Sequence, residues 1–254
     1  VGVEGSPDIE AARMLSKYLD TIHHEFLITQ QDVMRELPKI IYYLESFDQD
    51  LVRSAIPCYF TSRLAAEYVK VILTGEGADE LYAGYTYYKD IEDEDVLSKE
   101  LMRSVAALHN INLQRVDRMT MAHSLEGRVP FLDLSMIWLA SLIPARHKLL
   151  AGNPPVEKWI LRKAFEGVLP DEILWRVKSQ FDQGSGTVDL MTGPLAEMVE
   201  KSNYDPEGTT ERAYNLRSPE EKYYFKVFMD AYEHPEVMLR NVARWTDDRI
   251  TDPA

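Results

Sequence analysis

Val69-Lys70-Val71-Ile72-Leu73-Thr74-Gly75-Glu76-Gly77-Ala78-Asp79-Glu80 is the stretch on which the reading of this chain turns. Its short, β-branched apolar run has the signature of a buried strand in a parallel sheet, apolar on both faces. A Gly-acid-Gly turn follows at once, at the place where open α/β sheets bind ligands, beyond the carboxyl ends of their strands. Two glycines let backbone N–H groups approach a ligand closely, as in phosphate-binding turns. The side chains there are carboxylates, which repel bare phosphate. The pattern makes chemical sense when a divalent cation lies between acid and phosphate. The plainer reading is a strand-to-helix turn carrying solvated acids.

Working outward, Val1-Gly2-Val3-Glu4-Gly5 reads as the end of a strand running into a turn, and is expected to belong to a larger sheet that begins before it. Ser6-Pro7-Asp8 is a helix start, with serine at the cap and proline in the first turn. A strand is expected near His24 to Thr29, then helices over Asp32 to Phe47 and Arg53 to Tyr68. Strand, helix, strand, helices, strand is the order of a parallel α/β sheet. From Ala78 onward no convincing strand is visible. Helical spacing dominates at Asp93–His109, Asn112–Ala122, Leu134–Leu142, Pro155–Gly167 and Pro219–Tyr232. The acidic run Asp90–Asp95 reads as a solvated loop or helix start.

Composition narrows the function classes. The chain has 254 residues, 45% of them hydrophobic, enough for one large domain or two small ones. A net charge of -14 argues against a nucleic-acid partner, which needs a basic surface. The single cysteine, Cys58, excludes an internal disulfide or a cysteine-rich metal site, and its apolar flanks suit a buried inert thiol. No apolar run approaches the ~18 residues of a membrane span, and the start carries no signal-peptide pattern. A cytoplasmic setting is the expectation.

Three further clusters carry candidate chemistry. Arg115 and Arg118, three apart, share a helix face ahead of Glu126-Gly127-Arg128-Val129-Pro130-Phe131-Leu132-Asp133. Arg115 is read as a ligand contact. Asp117, Arg128 and Asp133 are read either as part of a polar network under a cleft or as salt bridges that fix the loop. Lys178, in Trp175-Arg176-Val177-Lys178-Ser179-Gln180-Phe181, precedes Gly184-Ser185-Gly186, read as a mobile loop able to close over negative charge. A lysine interacting with a helix dipole is the alternative. Arg53 lies near an expected helix N-terminus, a natural anion site. His23 and His24, adjacent on a strand, point to opposite faces and do not share a metal.

Leu73 to Tyr85 resembles a signature of the synthetase domain of glutamine-dependent asparagine synthetases. Arg118 to Asp133 resembles the next signature, and Glu157-Lys158, Leu161-Arg162 and Trp175-Arg176-Val177-Lys178 follow in family order. The resemblance covers most of Val1 to Gly186. It implies an α/β fold, a partial parallel sheet of adenine-nucleotide α-hydrolase (PP-loop) type followed by a mostly helical region. Residues 1–202 would be the synthetase-like domain and 203–254 a helical C-terminal extension. The implied chemistry is that ATP activates the side-chain carboxylate of aspartate as an acyl-adenylate, which ammonia from a glutaminase domain then attacks.

By motif, Glu76 would be the catalytic acid and Lys178 would stabilise charge in the acyl-transfer states. Asp79 would help hold Mg²⁺ on pyrophosphate. Gly75 and Arg53 would contact ATP, and Val1 would sit against the adenine. Asn112 and Arg115 would lie near the amino-acid site, although many relatives carry Asp where this chain has Asn112. The family's Ser-Gly-Gly-Leu-Asp-Ser phosphate loop and the glutaminase cysteine are absent from this sequence, so the chain by itself is expected to lack a complete ATP site. A homodimer is compatible with the reading. A ligase for another carboxylate, as in β-lactam synthetases, and a non-catalytic module that lost the phosphate loop are the alternatives.

Overall fold

Ser6, Thr29 and Asp48 each stand immediately before a helix, and these starts set the order of the first third of the molecule. The structure is a computed structural model that describes residues 1–152, 154–192, 197 and 214–244. Helix α1 spans Pro7–Leu19, α2 Gln30–Leu44 and α3 Gln49–Ala65. Thr29 and Asp32 form a reciprocal capping box: Asp32 N–H donates to Thr29 Oγ1 at 3.2 Å and Thr29 N–H to Asp32 Oδ2 at 3.1 Å. The Asp48 carboxylate accepts from the N–H groups of Asp50 and Leu51. Helices α2 and α3 therefore begin before the starts expected from apolar periodicity, because their capping turns precede the apolar stripe.

Strand β1 is Val71–Leu73 and pairs in parallel with β2, Glu126–Arg128, in the register Val71–Glu126, Ile72–Gly127, Leu73–Arg128. Two sequence expectations fail here. A strand exists beyond Ala78, and Glu-Gly-Arg hid it because it has neither alternation nor β-branching; pairing with β1 makes it a strand. Strand β1 is also not buried on both faces: Leu73 is 73% exposed and Val71 is exposed, while only Ile72 turns inward. Helix packing covers a single face. A Cβ on Gly127, beside Ile72, would meet Val116 and Thr120 of a helix at 3.2 and 3.4 Å. The expected strand at His24 to Thr29 and the opening strand shrink to one parallel bridge, Gly2 to Leu27.

The remainder is helical: α4 (Ala78–Leu81), α5 (Glu94–Ala107), α6 (Asn112–Met121), α7 (Leu134–Leu142), α8 (Ala145–Lys148), α9 (Trp159–Ala164), α10 (Asp171–Leu174), α11 (Phe181–Gly184), α12 (Thr187–Thr192), α13 (Pro219–Ala231) and α14 (Pro235–Met238). The chain is thus mixed α/β, mostly helical with a small parallel sheet. Asp93 caps α5, as the acidic run suggested. The Gly184-Ser185-Gly186 segment is not a mobile loop. Ser185 is fully buried, its hydroxyl bonded to the Asp182 carbonyl, and its own carbonyl accepts from Val3 N–H at 2.8 Å. The domain boundary near 202 lies outside the described residues.

The largest apolar core joins α2, α3, α6 and α13. Val33, Leu37, Ile40 and Ile41 of α2 face Val52, Ile56 and Phe60 of α3, and Phe225 and Phe228 of α13 stack edge-on against Phe47. Among the described residues no helix is long and apolar enough to cross a membrane. Phe228 is wholly buried, so Phe228→Ala should lower stability by about 3–5 kcal/mol, the range for deleting a core aromatic ring. Chemical denaturation of the variant measures this directly.

Candidate active site

Strand β1 ends at Leu73, and the chain turns through Gly75-Glu76-Gly77 into the short helix α4. Gly77 takes φ +92°, a conformation that a side chain strains, and a Cβ there would strike Leu132 at 2.4 Å. A Cβ at Gly75 would meet nothing within 4 Å. Its missing side chain leaves open space beside Glu76 instead of relieving a clash. This turn forms one wall of a cavity of about 460 Å³. Helix α3 supplies Asp50 and Ser54, α6 supplies Asn112 and Arg115, and the segment from Lys178 to Asp182 closes the far side.

The cavity gathers Gly75, Glu76, Asp79, Asn112, Arg115 and Lys178, which were singled out in sequence. Val1 and Arg53 are not among its lining residues. Val1 packs half-buried against the main core. Arg53 projects from α3 onto Glu220 of α13, with Nε 3.0 Å from Oε1 and Nη2 against Oε2. Arg118 leaves the site and pairs with Glu45. Arg128 pairs with Glu126 in an exposed bridge at 2.7 Å, and Asp133 caps α7. Arg128 thus forms a salt bridge, with Glu126 of its own strand, whereas Asp133, expected in the polar network or a salt bridge, serves as a helix cap.

Two ion-pair systems organise the cavity floor. Arg115 is buried and pairs with Glu76. Its burial works against the charged form, but Glu76, with smaller contributions from Cys58 and Tyr85, outweighs this, and the guanidinium is held more firmly protonated than usual. Asp79 lies between two lysines, with Lys158 Nζ 2.9 Å and Lys178 Nζ 3.6 Å from Oδ1. Burial pushes the Asp79 pKa up; the two ammonium groups overcome that and hold it below the ordinary carboxylate value. The backbone is shaped for this contact. A Cβ on Gly84 would lie 1.9 Å from Asp79 Oδ1 and 2.3 Å from Lys158 Cε. Lys158 itself sits at φ 53° ahead of α9, with its N–H on the Tyr82 carbonyl.

A third cluster lies under the Asn112 side of the cavity. Asn112 Nδ2 donates to Glu80 Oε1 at 2.8 Å and to Tyr85 Oη at 2.7 Å, and the Tyr85 hydroxyl donates to Glu80. Burial, reinforced by the Asp79 charge, pushes the Glu80 pKa up to about 7, against the pull of the Tyr85 bond. Asn112 Oδ1 and Arg115 Nε are buried with no partner among the described residues. Apart from Asp79 Oδ1, which has its ion pairs with Lys158 and Lys178, they are the buried polar atoms of the cavity lining without a hydrogen-bond partner.

Sequence reading missed Lys158, Glu80, Tyr85 and Arg162. All four stand inside quoted motifs, so their positions were visible and their partners were not. Arg162 holds the segment that carries Lys178: its Nη1 donates to the Arg176 carbonyl at 3.1 Å, while Nη2 reaches Glu157 Oε1 at 2.6 Å. Cys58, whose flanks suggested an inert thiol, has its pKa pushed up to about 11 by burial.

Comparison with known proteins gives the family. The family model described as asparagine synthase matches residues 1–95 and 88–232. The chain belongs to the asparagine synthase family. It is 35% identical over 258 residues to a probable glutamine-hydrolyzing asparagine synthetase of Dictyostelium discoideum, covering 96% of this chain and 46% of that protein. It is 40% identical over 192 residues to a glutamine-hydrolyzing asparagine synthetase of Triphysaria versicolor, covering 73% of this chain and 33% of that one. Against asparagine synthetase B of Escherichia coli K12 the identity is 35% over 240 residues, covering 92% of this chain and 43% of the relative. The chain thus spans less than half the length of these family members.

A metal-ion test gives a limited fit. Among the described residues no group of three or more His, Cys, Asp or Glu side chains is placed to hold a metal. Asp79 offers one carboxylate at a cavity wall that Asp50, Glu76 and Asp182 also line. That donor set suits a Mg²⁺ that takes its other ligands from phosphate oxygens and water, and not a metal caged by protein.

Two outcomes follow from the electrostatics. Gly84→Ala should break the Asp79–Lys158 contact and lower the melting temperature by several degrees, because a buried carboxylate loses its closer cation; differential scanning calorimetry reads the shift. The folded state also binds the Glu80 proton more tightly than the unfolded chain does. Its stabilising contribution is complete below about pH 4.5 and is lost as pH rises through about 7. In metal-free buffer, Glu80→Gln should gain stability relative to the parent chain across that window and level off above it, as followed by urea unfolding at each pH.

Proposed function

We propose that this chain is the synthetase part of an amide ligase that makes asparagine from aspartate and ammonia, using ATP. One observation carries the reading: the cavity beyond β1 sets Glu76 and Asp79 among Arg115, Lys158 and Lys178, a wall in which both fixed acids are already neutralised. Joining ATP to a carboxylate brings two anions together, and unassisted repulsion keeps them apart. Lys178 is the cation at the cavity surface, and its looser contact with Asp79 leaves it able to turn toward a ligand phosphate. Arg115 holds Glu76 in place and keeps an unpartnered Nε for a substrate carboxylate or phosphate oxygen. Mg²⁺, when bound beside Asp79, would neutralise phosphate charge.

The order of events is formation of a β-aspartyl-adenylate with release of pyrophosphate, then attack by ammonia on the acyl carbon, which breaks the acyl–phosphate C–O bond and releases AMP and a proton. Glu76, on the turn, is the acid that supports the first step. Gly75 leaves room for the nucleotide beside it. Val1 is the residue for the adenine and Arg53 the outlying cation for the phosphates. Asn112 and Arg115 face the amino acid. An acyl-adenylate hydrolyses readily, so the cavity must close against water once the substrates are in place. The relatives' names describe glutamine-hydrolyzing enzymes, which supports ammonia delivered from a glutaminase domain. A PP-loop type of sheet, supported by the parallel β1–β2 pair, and a cytoplasmic setting complete the reading.

A second reading concerns the substrate. Asn112 is neutral and its amide N–H groups are held by Glu80 and Tyr85. That favours testing other carboxylates, as in a β-lactam synthetase-like ligase. ATP–pyrophosphate exchange in the full-length protein decides among these readings. Aspartate-dependent exchange supports asparagine synthesis; exchange with a different amino acid supports the second ligase reading. Exchange with none sinks both and leaves a non-catalytic module. Lys178→Met should lower aspartate-dependent exchange by about 10²-fold or more, the scale for losing one charge-stabilising group in a dry site, with the fold preserved by circular dichroism.

A further inference from the structure

Arg53 and Glu220 are far apart in sequence, yet their side chains meet edge to edge. Glu220 takes the Nε and Nη2 edge of the guanidinium. A second donor, the buried Tyr224 hydroxyl, reaches Glu220 Oε1 at 2.6 Å, so the carboxylate is itself fixed. The Nη1 end of Arg53 has no protein partner among the described residues and is not sealed from solvent. Arg53 does not itself line the cavity; its α3 neighbours Asp50 and Ser54 do, so it stands beside the cavity. Asp50 Oδ2 lies 3.1 Å from Arg217 Nη1, a cation it shares with Asp48 and Glu221. Asp182, on the opposite wall, is pushed up in pKa by burial and drawn down by Arg53, so it senses the guanidinium.

Helix α13 is held in register with α3 by a separate ion cluster. Arg217 Nη2 lies 2.8 Å from both Asp48 Oδ2 and Glu221 Oε1, and Arg244 Nη2 lies 2.7 Å from Glu221 Oε2. Gln49 N–H also donates to Glu221. Glu220 and Glu221 thus divide two tasks between adjacent positions: Glu221 docks the helix and Glu220 addresses Arg53.

We propose that Glu220 is a positioning residue for Arg53, fixing the guanidinium so that its open Nη1 end meets a phosphate of the nucleotide at the cavity rim. Helix α13 is then part of the nucleotide wall. The proposal rests on the reading of the cavity as an ATP site and adds a residue to it. A bidentate partner on one edge of a guanidinium restrains its rotation and leaves the other edge for the ligand, which a lysine at this position would not achieve.

The test is a double-mutant cycle in the full-length protein, with ATP binding in the presence of Mg²⁺ measured by calorimetry and aspartate-dependent exchange measured alongside. Glu220→Gln should weaken ATP binding about tenfold, the scale of one charge-assisted contact, and raise the KM for ATP while leaving kcat within about twofold. In an Arg53→Ala background the same substitution should have no further effect on ATP binding. Glu220→Asp, which keeps the charge and shortens the reach, should give an intermediate loss and carries the test if the Gln variant is unfolded by circular dichroism. Unchanged or tighter ATP binding by the Glu220 variant overturns the proposal, as does an equal loss in both backgrounds. Failure of the parent protein to bind ATP overturns both the proposal and the ATP-site reading. ATP binding without exchange for any amino acid overturns only the ligase reading.

Discussion

A carboxylate taken out of water must find a cation, and Asp79 finds two. Desolvation alone would drive its proton on; Lys158 and Lys178, converging on one oxygen, reverse that outcome. Much of the surrounding structure is arranged for this meeting. Gly84 stays bare so that Asp79 and Lys158 can touch. Lys158 accepts a left-handed backbone. Arg162 ties down the segment leading to Lys178. A buried pair of this kind contributes little net stability against an apolar substitute. On the proposed reading, these charges serve to receive an anionic ligand.

The same logic runs through the rest of the cavity. Arg115 and Glu76 neutralise one another on the floor. Asn112, Tyr85 and Glu80 satisfy one another beneath it. The unpartnered atoms, Asn112 Oδ1 and Arg115 Nε, belong to two of these same residues. A site built this way is preorganised: its own groups are already paired and desolvated, and only the edges meant for a ligand are left unsatisfied. The apolar core of α2, α3, α6 and α13 gives it a rigid backing, since α3 and α6 carry core residues on one face and cavity residues on another.

Much of this was legible in the chain. The start of α1 after Ser6, the stripe of α2, the full span of α7 and the position of the Gly-Glu-Gly turn depend on residues close in sequence, whose interactions are set by backbone geometry. The strand β2 was not legible, because Glu126-Gly127-Arg128 becomes a strand only when β1 lies beside it. The burial of β1 was misjudged for a related reason. An apolar run reports what a segment tolerates on its faces; which faces are covered depends on the helices that arrive. Gly184-Ser185-Gly186 has the composition of a loop, yet Ser185 is sealed by a contact with Val3 from the start of the chain.

The sequence by itself determined the family, the starts of α1, α6, α7 and α13, the turn that ends β1 and the roster of charged residues from which the site is made. Those follow from local pattern and short-range spacing. The tertiary structure alone decided which charges pair: Asp79 with Lys158, Glu76 with Arg115, and Arg53 with Glu220. The energy of an ion pair depends on distance through space and on how much water remains between the partners. Neither quantity is written in the spacing of residues along the chain.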